Sequence, residues 1–147
     1  MRSPFALAPL LLPLLILGCK GNTLEGRWNA TGLQNLPPSA TVVFEFKGGQ
    51  AVMTFDVKMN QFGEATIKAD GPYKLEGETL TLTPSNVTFD DSKITDPKTK
   101  ATIAQLGLKD QLQKGMKDPV TYTVKFDSSD QVLLTSKQIT ATLTRIK

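Results

Sequence analysis

The sequence predicts an all-β fold: one up-and-down antiparallel barrel of eight strands, with one helix inserted between the fifth and sixth strands. From residue 24 onward, apolar and polar residues alternate in segments rich in Val, Thr, Phe and Tyr, as in half-buried strands. Short turns between these segments place their apolar residues on one face. Two of the strands also bend, as closing a sheet into a barrel requires.

Three short turns fix the pairing of neighbouring strands. They lie at residues 48–49, 77–78 and 128–130, and a fourth turn at 137–138 leads into the last strand. A slip of one residue would turn the inward-facing apolar side chains toward water. The alternation of residues and the lengths of the turns therefore predict the same strand pairing. The predicted pairs are Phe44 with Met53, Leu75 with Leu80, Val124 with Leu134 and Val132 with Leu143.

These registers predict eight strands, at residues 24–31, 40–47, 50–58, 64–76, 78–89, 119–126, 131–136 and 138–146. The fourth keeps its inward parity across Asp70-Gly71-Pro72, which indicates one long bent strand. The fifth changes parity after Pro84-Ser85, which indicates a bulge or a corner.

Residues 97–114 form the one segment with helical character. Asp96 can cap the helix, and Pro97 suits the first helical position because its missing N–H costs nothing there. Gly107 weakens the middle. We expect the helix to plug or cover one end of the barrel; the alternative is a mobile lid or a partner-binding helix. One apolar stripe is formed by Ala101, Ala104, Leu108 and Leu112.

Residues 1–18 have the order of a secretion leader. Arg2 gives a positive start, residues 5–17 are apolar, and Gly18 precedes Cys19, the only cysteine of the chain. The apolar stretch is too short to span a membrane and contains two prolines. This arrangement resembles a bacterial lipoprotein signal. The resemblance implies that Cys19 carries a diacylglycerol and an amide-linked chain such as palmitate, which is a permanent anchor.

The chain is therefore predicted to have three parts. Residues 1–18 are a signal peptide, residues 19–23 a lipidated cysteine and short tether, and residues 24–147 the barrel domain. The predicted location is the bacterial cell envelope, outside the cytoplasm and anchored to the bilayer. Under the common sorting rule for lipoproteins, Lys20 in place of Asp favours the outer membrane where the organism has one.

Both ends of the barrel domain carry a second resemblance. Gly26-Arg27-Trp28 resembles the Gly-X-Trp signature of lipocalins and related calycin barrels, and Arg145 resembles the basic residue that packs across that tryptophan. The resemblance implies a lipocalin-like barrel closed by Trp28 and Arg145. Because the helix lies between strands and not after the last one, the closer likeness is to small bacterial lipocalin-like lipoproteins. The alternative for Arg145 is an ion pair with Asp130.

The composition argues against catalysis and against nucleic-acid binding. The chain has no histidine, so it cannot form a Ser-His or Cys-His dyad or a His-containing zinc site, and we expect no catalytic residue, cofactor or metal. Its pairs of aspartates lie beside turns, where Asp is favoured for its backbone hydrogen bonds. The 17 basic residues face 14 acidic ones and are scattered, which is not the pattern of a nucleic-acid site.

The inward face determines what the barrel can hold, since eight strands enclose an interior that side chains either fill or leave open for one small ligand. The predicted pocket residues are Phe44, Phe55, Tyr73 and Tyr122, the tyrosines because a buried hydroxyl needs a partner. Two functions stay open. One is a membrane-anchored, noncatalytic lipoprotein that binds a small apolar or amphipathic ligand. The other is an envelope structural or protein-interaction module with a filled barrel.

Overall fold

A computed structural model describes residues 22–34 and 36–147, so the predicted signal peptide and Cys19 lie outside the described residues. Within these residues, nine strands form one antiparallel sheet. The strands are β1 (Gly26–Thr31), β2 (Ala40–Lys47), β3 (Gln50–Lys58), β4 (Glu64–Glu76), β5 (Thr79–Leu82), β6 (Asn86–Asp90), β7 (Val120–Ser128), β8 (Gln131–Thr135) and β9 (Thr140–Arg145).

The sheet closes on itself because β1 pairs with β2 on one side and with β9 on the other. β5 and β6 are two halves of one bent strand, since both pair with β4. β5 also pairs with β7, and the chain then returns through β8 to β9. The predicted eight-stranded up-and-down barrel is confirmed.

The predicted hairpin registers are also confirmed. The pairs are Phe44 with Met53, Leu75 with Leu80, Val124 with Leu134 and Val132 with Leu143. One turn differs from the prediction: Ser128 pairs with Gln131, so the turn contains two residues and not three. The ladder absorbs the extra residue as an irregularity between Phe126 and Ser128.

The barrel has two different ends. We call one the closed end; β1 begins there, β9 ends there, and the turns at 48–49, 77–78 and 129–130 lie there. We call the opposite end the mouth. It carries the segments 32–34, 36–39, 59–63, 91–96 and 136–139, together with the helices.

The core is one cluster of apolar side chains inside the barrel. The largest fully buried side chains of this core are Trp28, Phe46, Leu24, Leu80, Leu134, Leu143, Val42, Val124 and Val132. On the side of the barrel formed by β3, β4 and β6, the inward-facing side chains of Phe55, Val57, Ile67 and Phe89 are only half-buried, whereas Val42, which lies opposite Phe55, is 1% exposed. The interior is therefore filled less completely on this side.

Residues 97–114 form two helices and not the single predicted helix. They are α1 (Pro97–Gln105) and α2 (Leu108–Gly115), and Gly107 between them has a φ of 57°. Asp96 caps α1 as predicted, because its carboxylate accepts a hydrogen bond of 2.7 Å from the Thr99 N–H. Within the part of the chain that the structure describes, no helix has the length and hydropathy to cross a membrane.

The break at Gly107 also divides the predicted apolar stripe. Ala101 and Ala104 are exposed, whereas Leu108 and Leu112 are half-buried. Neither helix contains a buried residue, and α2 lies beside β6. The helices thus lie at the mouth without adding a buried residue to the barrel core.

The corner between β5 and β6 packs on Gly71 of β4. The Ser85 N–H donates to the Asp70 carbonyl at 2.9 Å and draws the corner against this strand. A Cβ on Gly71 would collide with the Thr83 carbonyl oxygen and lie 2.8 Å from the Ser85 nitrogen. Both clashing groups are backbone, so they cannot move aside without opening the corner.

We therefore expect Gly71→Ala to lower the free energy of unfolding by about 1–3 kcal/mol, as overpacking does. Gly115→Ala is the matched control, because a Cβ there meets no atom within 4 Å. The control should be as stable as the parent or more stable by up to about 1 kcal/mol, because alanine favours a helix over glycine. Urea unfolding measures both, and equal stability of the two variants would contradict the close packing at the corner.

Candidate functional site

Trp28 and Arg145 contact each other at the closed end. The pairing of β1 with β9 places the two residues opposite each other, and the Arg145 Cζ lies 4.0 Å from the centroid of the indole ring. Trp28 has 0% of its surface exposed, and such desolvation strengthens a cation–π contact. The alternative contact is present as well, because the Arg145 Nε lies 3.3 Å from a carboxylate oxygen of Asp130.

The same two side chains hold the segment that enters the barrel. Trp28 Nε1 donates to the Leu24 carbonyl at 2.6 Å, while Arg145 donates from Nη1 to the Glu25 carbonyl at 2.6 Å and from Nη2 to the Thr23 carbonyl at 3.1 Å. Leu24 itself is 1% exposed. Three consecutive carbonyls are satisfied by two side chains, so residues 23–25 are fixed across the closed end.

Tyr73, a predicted pocket residue, lies in this end of the barrel. Its hydroxyl donates to Glu25 Oε1 at 2.9 Å, and the same carboxylate accepts from the Gly48 N–H at 3.1 Å. Its ring packs edge-on against Phe46, with 5.0 Å between centroids. Burial, followed by the hydrogen bond to Glu25 and its charge, raises the pKa of Tyr73 to about 12. Through Glu25, Tyr73 of β4 is therefore linked to the segment before β1 and to the turn at 48–49.

The other three predicted pocket residues lie at different levels of the interior. Phe44 is buried in the core and lines a cavity of about 20 Å³, which has room for about one water molecule. Tyr122 is buried, and this burial raises the pKa of its hydroxyl. Phe55 is half-buried, opposite Ile67. The four residues share a face without sharing a pocket, because parity fixes the face and not the height along the barrel.

A larger cavity of about 360 Å³ lies at the mouth, between the end of β6 and the two helices. We call it the mouth cavity. Its volume falls in the range of sites for small molecules. It is lined by Phe89, Asp91, Ile103, Ala104, Gly107, Leu108, Lys109 and Asp110.

Three local features form the mouth cavity. The corner between β5 and β6 changes the strand parity, so that Phe89 lies opposite the inward-facing Ile67. The left-handed conformation of Gly107 turns the chain so that residues of both helices line the same space. The Gln113 side chain then attaches α2 to β6 by donating to the Val87 carbonyl at 3.1 Å.

The lining has the chemistry of an amphipathic binding site. Phe89, Ile103 and Leu108 supply apolar contact area, and Asp91, Lys109 and Asp110 supply two carboxylates and one ammonium group. Among residues 22–34 and 36–147, no three His, Cys, Asp or Glu side chains converge in a group that could hold a metal ion. The cavity can thus hold a small molecule with an apolar body and a polar or charged end.

Sequence reasoning did not predict the mouth cavity, although two signals for it were present. The parity change at Pro84-Ser85 turns Phe89 toward the interior, and Gly107 interrupts the helical segment at its middle. Only the folded chain brings the end of β6 and the helix break together.

Comparison with known proteins adds two solved structures. No known family matches the chain, and no curated protein is significantly similar to it. An uncharacterized protein from Bacteroides eggerthii DSM 20697 is 14% identical over 83% of this chain and 98% of its own, with a TM-score of 0.45. A lipocalin-like protein from Bacteroides uniformis ATCC 8492 is 12% identical over 84% of this chain and 98% of its own, with a TM-score of 0.42. Because both TM-scores are low, the barrel assignment depends on the strand pairing of this chain.

Arg145→Lys should lower the free energy of unfolding by about 2–3 kcal/mol, because an ammonium group cannot stack on the indole and reach the same carbonyls together. Arg27→Lys is the control: Arg27 is exposed and lies 3.7 Å from Glu45. We expect it to change stability by less than about 0.5 kcal/mol. Chemical denaturation of both variants tests this, and similar small losses would argue against a special role for Arg145.

Tyr73 should make stability depend on alkaline pH. Its pKa is raised in the folded protein from 10.0 to about 12, so its contribution is complete below pH 10 and is lost as the pH rises toward 12. Tyr73→Phe removes a group that ionises more readily in the unfolded chain. The variant should therefore lose less stability than the parent between these pH values. Parallel slopes of unfolding free energy against pH would contradict the assignment.

Proposed function

We propose that this protein is a noncatalytic, membrane-anchored lipoprotein that binds a small amphipathic molecule in the mouth cavity. The observation that carries the proposal is the contrast between the filled barrel core and the space between β6 and the helices. Phe44 lies beside a cavity of only about 20 Å³, whereas Phe89 lines one of about 360 Å³. A ligand would therefore lie at the mouth, beside half-buried apolar side chains, and not at the barrel centre.

The anchored part of the proposal is supported by the sequence before the barrel. An apolar leader with a positive start ends at Gly18-Cys19, and the barrel begins a few residues later. The noncatalytic part is supported by the side chains available. The chain contains no histidine, and the titratable groups at the mouth cavity are a lysine and two aspartates on its rim.

A second candidate function is favoured by the packing of the rest of the interior. Leu80, Val132, Leu134 and Leu143 have 0% of their surface exposed. A barrel filled to this degree would suit an envelope module that engages other proteins through its outer surface. This candidate predicts that the mouth cavity takes up no small molecule.

Binding at the mouth cavity should be blocked by filling it. Ile103→Trp places an indole where the parent has a cavity wall, whereas Ala101→Trp adds the same group at an exposed position of α1. With the soluble domain starting at Lys20, we expect the parent and Ala101→Trp to bind an environment-sensitive apolar probe. Ile103→Trp should bind it more weakly. Circular dichroism checks that all three are folded.

Native mass spectrometry of the same proteins, after gentle purification, separates the two candidate functions. A co-purifying mass of small-molecule size that is lost in Ile103→Trp supports ligand binding. A bare mass for the parent, together with no probe uptake, favours the filled module.

A further inference from the structure

We infer that the closed end of the barrel faces the lipid bilayer and that the mouth opens away from it, toward the aqueous phase. The inference rests on the proposed lipid anchor at Cys19 and specifies the source of the ligand. A molecule that reaches the mouth cavity must come from solution or from a soluble carrier, and not by lateral diffusion from the membrane.

The chain enters the barrel at the closed end. Arg145 and Trp28 hold the carbonyls of residues 23–25, and Leu24 is buried at the closed end. Cys19 precedes Leu24 by five residues. Five residues of extended chain reach no more than about 18 Å. The anchor is thus confined to the neighbourhood of the closed end.

The height of the barrel determines whether the tether can reach the mouth. β3 has nine residues and runs from the closed end toward the mouth. At about 3.3 Å per residue and a tilt of about 40°, it rises about 20 Å along the barrel axis. The loops and helices of the mouth lie beyond its end. The tether cannot carry the anchor along the wall and still leave chain to enter the bilayer at the mouth.

The charged side chains of the closed end are mainly paired with each other. Lys147 lies 3.5 Å from Asp130, and Lys125 lies 3.6 Å from Asp127. Lys74 and Glu76 are paired in the same way at 2.8 Å. A surface of paired charges has no strong preference for anionic headgroups. Orientation should therefore be set by the tether and be the same on neutral and anionic membranes.

The inferred orientation also narrows the class of ligand. With the mouth directed away from the bilayer, an acyl lipid would have to leave the membrane completely before it could bind. The volume of about 360 Å³ and the charged rim fit a smaller, water-soluble amphipathic molecule. The ligand class we expect is therefore a soluble molecule with an apolar body and a charged end.

The test uses the full lipidated chain in phosphatidylcholine vesicles whose headgroups carry an energy acceptor. Lipidation occupies the sulfur of Cys19, so an introduced cysteine is the only free thiol. Gln50→Cys places a donor dye at the closed end, and Gln61→Cys places the same dye at the mouth; both positions are exposed. The dye at residue 50 should lose more fluorescence to the acceptor than the dye at residue 61. A second pair, Lys47→Cys and Lys137→Cys, should give the same order.

Equal losses at the two ends, or a greater loss at the mouth, would overturn the inferred orientation. A reversal of the order on anionic vesicles would also overturn it, because surface charge and not the tether would then set the orientation. Combining each substitution with Cys19→Ala tests the anchor separately. Loss of transfer in that background supports lipid anchoring, whereas persistent transfer contradicts the proposed function itself.

Discussion

The contact between Trp28 and Arg145 joins the first and last strands of the barrel, and the organisation of the closed end depends on it. Strand pairing closes the sheet, and the guanidinium lies over the indole where the first and last strands meet. The same guanidinium is bonded to the chain before β1, to the turn before β8 and to Asp130. One side chain therefore links the entry segment, the last strand and a closed-end turn. The entry segment is fixed because each of its three carbonyls has a buried or half-buried donor.

The two halves of the barrel follow from different parts of the sequence. In the closed half, large apolar residues of regular parity face one another across short hairpins, and they fill the interior. At the mouth, the chain forms a pair of helices with no buried residue. Helical segments that contribute little to a core can leave space beside it. The mouth cavity lies where the regular strand pairing stops.

Much of the fold could be predicted from the sequence, because alternation and turn length act together. At Phe44 and Met53, parity identified the buried face and the turn at 48–49 fixed the partner. The contact of Arg145 with Trp28 was implied by the resemblance of Gly26-Arg27-Trp28 and Arg145 to the lipocalin signature. The level of a residue along the barrel axis could not be predicted in this way. Tyr73 and Phe55 share a face, but the one bonds to Glu25 at the closed end and the other lies nearer the mouth.

The helical segment shows a second limit of sequence reasoning. An isolated glycine costs a helix only about 1 kcal/mol, so Gly107 indicated weakness and not a break. In the folded chain, α2 lies beside β6, and the Gln113 side chain donates a hydrogen bond to this strand, which is distant in sequence. Such a tertiary contact leaves no periodic signal. The candidate site formed at that point was therefore visible only in the folded chain.

Trp28 and Arg145 stabilise the junction of the first and last strands beyond what strand pairing contributes. A double-mutant cycle with Trp28→Leu, Arg145→Met and the combined variant measures the interaction most directly, through the free energies of unfolding of the four proteins. The account predicts a favourable coupling of about 0.5–2 kcal/mol between the two side chains. Additive losses, with a coupling near zero, would show that the two residues act independently and would contradict the account.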